Sequence, residues 1–185
     1  MKGIAAIAAI AFAFAAAAWA ATPSPYAGQQ NREIRSLSES EVADLLAGKG
    51  MGYAKAAELN GYPGPAHVLE LRSELGLSAE QLAQTQAIFQ RMESSAKSLG
   101  AELVQAERAL EASFRNREVS PDSLARALER IAAIEGKLRN VHLGAHLEQT
   151  RVLSPAQAAR YARLRGYAGD AGDAGGHHGH HPGHK

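Results

Sequence analysis

The sequence predicts an all-α protein organised around a long antiparallel helical hairpin with short flanking helices, and three features carry that expectation. Leu82, Phe89, Ala96, Leu103 and Leu110 recur every seven residues, with Met92, Leu99 and Ala106 as a companion row, which is the spacing of a packing seam along one helix. A second apolar stripe runs through Leu124, Leu128, Ile131, Ile134, Leu138, Val141, Ala145 and Val152. The pattern breaks only at 116–120 between them, and a connection that short makes two long helices antiparallel neighbours. No strand-like alternation of useful length occurs elsewhere.

The amino terminus reads as an address. Lys2 supplies a positive charge, residues 4–18 are apolar without a break, and Ala18-Trp19-Ala20 places small residues where a signal peptidase reads them. Residues 1–21 are therefore expected to be a signal peptide that directs the chain to the periplasm, the alternative being a retained membrane anchor. Residues 22–62 follow as a flexible leader with short helices.

Helix starts punctuate the rest. Ser38 and Glu41 have capping-box spacing, each side chain satisfying a free backbone donor, and Gly48 can close that helix. A second short helix is expected from about Met51 to Asn60, stopped by Gly61. Pro63-Gly64-Pro65 makes a rigid turn from which Pro65 opens a helix carrying His67, Val68, Leu71 and Leu75, ended by Gly76. Ser78 with Gln81 starts the first long helix, Ser120-Pro121 the second, and Ser154-Pro155 with Gln157 a final short one reaching Gly166. Residues 63–167 form the expected helical domain. Residues 168–185 are rich in glycine and histidine, cannot bury a core, and read as a disordered tail. A two-helix hairpin has little interior of its own, so a homodimer is expected to complete its packing.

Bulk composition excludes several functions. With no cysteine there is no lipoprotein anchor, disulfide framework or thiolate metal site. A formal charge of +1 creates no field to attract nucleic acid, and acidic and basic residues are interspersed as on solvated helices. Neither an HExxH zinc-protease motif, a phosphate-binding glycine loop nor a nucleophile elbow is present, so no enzymatic activity is expected.

Leu77-Ser78-Ala79-Glu80-Gln81 and Leu153-Ser154-Pro155-Ala156-Gln157 share one pattern, Leu-Ser/Thr-x-x-Gln, at the entry and exit of the expected hairpin. Over roughly residues 65–167 the chain resembles the Spy/CpxP family, which is marked by two such copies. The resemblance implies a dimerising cradle of hairpins in the periplasm. It also implies an ATP-independent chaperone for unfolded envelope proteins, or a stress or metal-resistance protein that senses heavy metal and signals to a membrane partner.

Histidine is the residue through which such chemistry would run. His177, His178, His180, His181 and His184 cluster in the tail, where neutral imidazoles on a flexible chain can wrap a zinc, copper, nickel or cobalt ion. His142 and His146, one helical turn apart, put two rings on one face beside the Leu138 and Ala145 stripe; the alternative is a pair of ordinary surface residues. His67 is the natural third ligand if its helix folds back on the second long one, with Glu70 or Glu148 as a fourth. The other carboxylates are expected in ion pairs on solvated faces.

Overall fold

Residues 23–167 are described in the computed structural model; the expected signal peptide and the histidine-rich tail lie outside them. Residues 23–31 belong to a unit of their own, a turn closed by Ala27 N–H on Ser24 O and a 3₁₀ turn at Gln29–Asn31. Residues 32–167 belong to one unit. Its helices are α1 (Glu39–Leu46), α2 (Lys55–Glu58), α3 (Pro65–Glu70), α4 (Ala79–Arg115), α5 (Pro121–Val152) and α6 (Pro155–Leu164). The described residues contain no strand, and none of their helices is long and apolar enough to cross a membrane.

Each expected helix start is built as its residues dictate. Ser38, Ser78, Ser120 and Ser154 sit in extended backbone and accept from the amide three residues on, while Glu41, Gln81, Ser123 and Gln157 return the bond. Pro121 and Pro155 occupy first-turn positions that have no intrahelical partner for an amide proton. The expected helix over 51–60 is shorter, only Lys55–Glu58, because Gly52 and the residue before it adopt positive φ and hold 51–54 in turns.

The two long helices pack together, and their cross-contacts run in opposite chain order: Gln81 meets Val152, Thr85 meets Gln149, and Arg91 meets Glu148. Ile131, Ile134 and Leu138 of α5 meet Leu103, Val104 and Ala106 of α4 in one core. Two members of that core, Ile34 and Leu45, come from the segment expected to be a flexible leader. Residues 32–62 are thus not a loose leader: α1 lies on α4, and burying Ile34 and Leu45, each 2% exposed, contributes about 1.5–3 kcal/mol per side chain. Gly100 makes the approach possible, since a Cβ there would stand 2.1 Å from the Leu45 carbonyl oxygen.

The α5 stripe also differs from the expected one. Leu128 is exposed, Val141 is half-buried, and the buried face continues from Leu138 through His142, Ala145, His146 and Gln149. Residues 48–64 cover the carboxyl-terminal half of that face and turn it inward.

A second, smaller core joins Val68, Leu75, Leu153 and Tyr161, with Leu71 and Leu77 against it. Both motif leucines therefore belong to it. The two motif glutamines bond each other: Gln81 Nε2 donates to Gln157 Oε1 at 2.8 Å and Gln157 Nε2 donates to Gln81 Oε1 at 3.0 Å.

Candidate functional site

A cavity of about 600 Å³ lies among the 47–55 turns, the start of α3, α4 and α5, and His67, His142 and His146 all border it. The sequence placed these histidines on two helices; the fold brings them to one space. The tail histidines His177, His178, His180, His181 and His184 lie outside the described residues.

His146 is buried, and its Nδ1 stands 2.7 Å from the Tyr62 carbonyl oxygen. A carbonyl only accepts, so Nδ1 carries the proton and Nε2 keeps the lone pair. Gly64 lies directly against the ring, where a Cβ would come within 2.9 Å of Nε2. The same bias acts on His67, whose Nδ1 meets the Glu70 carboxylate at 2.9 Å, leaving its Nε2 as the basic nitrogen.

His142 differs. It is 3% exposed, stacks on Tyr53 with ring planes 8° apart, and its buried Nε2 has no hydrogen-bond partner among the described residues. Burial foremost, and then the neighbouring His146, pushes its imidazole below the ordinary value, so the ring is neutral at neutral pH. A neutral buried imidazole without a partner is a costly arrangement unless something binds it. The reading of His142 and His146 as surface residues fails on this burial.

Behind the cavity Glu58 anchors a polar cluster that local sequence patterns do not reveal. Its Oε1 accepts from Tyr161 at 2.5 Å and lies 3.4 Å from Arg165 Nε; its Oε2 is 3.6 Å from His146 Nδ1. Burial, then the Glu58 hydrogen bond and charge, push the Tyr161 phenol well above its ordinary value. The other two carboxylates at the cavity are also engaged, Glu70 by His67 and Glu93 by Lys97. Glu148, offered by the sequence as a fourth ligand, instead pairs with Arg91 at 2.7 Å and does not border the cavity.

Among the described residues no three histidine, aspartate or glutamate side chains stand together as a metal-binding set. His67, His142 and His146 share a cavity without being clustered around one point. Besides Glu58 and Glu93, two thioether residues at the cavity were not singled out by sequence as ligands: Met51, which has φ of +43°, and Met92. The local signal for Met51 is its setting, glycine at 48, 50 and 52 alternating with Lys49 and Met51.

The six motif residues lie apart from the cavity, at the meeting of α3, α4 and α6. Leu77 and Leu153 pack, Ser78 and Ser154 cap, and Gln81 and Gln157 tie the two copies. No family model matches the chain, and no curated protein or solved structure matches it either.

Proposed function

We propose that this is a periplasmic helical-hairpin protein of the Spy/CpxP kind, working as a homodimer, that binds a transition-metal ion through the histidines of its cavity and responds to it. The observation that carries the reading is the state of the three rings. Two are held with Nε2 basic by an oxygen on Nδ1, the arrangement that outer partners impose on metal-binding imidazoles, and the third has a buried, unpartnered Nε2. Such nitrogens suit zinc, nickel, cobalt or copper.

Because the donors do not converge as they stand, an ion would act by drawing α3 and the 47–55 turns toward α5. Binding energy spent on that closure is what couples metal to conformation, and so to a membrane partner or to a client surface. Metal sensing or resistance is the primary reading.

The test is a calorimetric titration of the whole protein with zinc and with nickel, set against a variant carrying His67→Ala, His142→Gln and His146→Gln. The tail supplies background sites in both. Loss of the tightest equivalent with far-ultraviolet dichroism retained supports the reading; unchanged stoichiometry and affinity would remove it.

Chaperoning is the second reading, favoured by the exposed Phe114, Leu128 and Leu147, each about half accessible. Scattered apolar side chains on a rigid helical surface suit weak, releasable contact with unfolded envelope proteins. Failure to suppress aggregation of a denatured client, with or without zinc, would remove it.

A further inference from the structure

Resting on the metal-binding reading, we infer that the cavity's ion is a soft monovalent one of the copper(I) class, and that Met51 and Met92 supply thioether ligands beside His142 and His146. The chain has three methionines, and both of those beyond Met1 border this one cavity. Thioether sulfur and neutral imidazole are the donors that favour copper(I), whereas calcium, magnesium and manganese take oxygen.

Three independent observations point the same way. First, each carboxylate at the cavity has one oxygen engaged, Glu58 by Tyr161 and Arg165, Glu70 by His67 and Glu93 by Lys97, while the Glu58 Oε2 is buried beside His146 without a hydrogen bond. The donors contributed by α5 and by Met51 and Met92, imidazole and thioether, are neutral and soft, and such a set suits a singly charged soft ion better than a divalent one. Second, Met51 holds a left-handed backbone that methionine adopts at a cost, between two glycines that would adopt it freely. A long side chain kept where the backbone favours glycine indicates that the side chain itself is used. Third, His142 is nine-tenths or more buried at the same cavity, and its Nε2 has no hydrogen-bond partner among the described residues.

The test uses the whole protein with its methionine methyl groups labelled with carbon-13, titrated with silver(I) as a redox-inert stand-in for copper(I), and separately with zinc(II). The Met51→Leu and Met92→Leu single variants assign the signals, leucine preserving volume. The expected result is that both methyl resonances move within the first equivalent of silver and neither moves with zinc. Competition for copper(I) against a chromophoric chelator under reducing conditions should show at least a tenfold weaker site in the double variant, with zinc binding unchanged.

Should silver leave both methyls in place, or the double variant hold copper(I) like the parent, the inference is overturned. If the ring protons of His142 and His146 respond to silver or zinc while the methyls do not, the inference falls and metal binding by the cavity stands. If neither rings nor methyls respond to any ion, both readings fall together.

Discussion

Gln81 and Gln157 face each other across the two motif copies and exchange both amide hydrogen bonds, while each Oε1 also accepts the backbone amide of its own capping serine. Gln81 further donates to the Val152 carbonyl oxygen at 2.9 Å, an acceptor that the end of α5 would otherwise leave open. One repeated local pattern thus does two jobs, starting a helix and pinning its start to the other copy.

Replacing either glutamine by alanine should therefore cost more than a lost helix cap, about 2 kcal/mol rather than ~1. The double variant should be milder than the sum, with a coupling of about 0.5–2 kcal/mol. Urea unfolding of the four proteins in the cycle measures it, and strict additivity would deny the clasp.

Gly100→Ala ought to destabilise the protein even though alanine is the better helix former by about 1 kcal/mol. The new methyl would meet backbone, the Leu45 carbonyl, at 2.1 Å, so α1 has to move off α4. Overpacking of this kind costs about 1–3 kcal/mol, so the net change is a loss of up to ~2 kcal/mol. A raised melting temperature would mean that α1 does not lie on α4 as described.

Tyr161 should resist ionisation. Its folded pKa stands above the ordinary value of 10.0, so the stability it contributes is complete below pH 10 and is lost as pH rises toward the folded value. Absorbance at 295 nm is expected to show Tyr161 ionising only with loss of helical signal. Tyr161→Phe removes that alkaline step and leaves the partly buried Glu58 without its closest donor, at a cost of about 1–3 kcal/mol.

Acid acts at α1 with the opposite sign. The Ser38 side-chain and backbone hydrogen bonds hold the Glu41 carboxyl below 4.5, so its contribution is present above that value and disappears as pH falls through the folded one. Ser38→Ala should lower stability by ~1 kcal/mol at pH 7 and flatten this part of the acid profile. An acid profile identical to the parent's would show that the cap contributes nothing there.

Met51→Gly separates stability from binding. Relief of the left-handed backbone, about 1–2 kcal/mol, is offset by roughly 0.5–1 kcal/mol of added chain entropy, so stability should hold or rise slightly. Silver affinity should fall in the same variant. A stable protein that still binds silver like the parent would show that the methionine serves neither purpose.

Legible in the sequence was what closes within a few residues: four serine caps, three of them with their return partners, prolines in first turns, and the breaks at 116–120 and Gly76. Cap chemistry closes over one turn, so a short window contains both partners. The apolar rows likewise showed that α4 and α5 would be long and would each bury a face. Sequence also brought His67, His142 and His146 forward as a candidate group, though not their burial. Tertiary structure alone decided that Ile34 and Leu45 join the core, that His142 and His146 lie beneath residues 48–64, and that Glu58 meets Tyr161 across 103 positions. The reason is physical: whether a half-polar segment lies down on a helix depends on a fit between distant surfaces, here the space left by Gly100, and no local pattern carries that information.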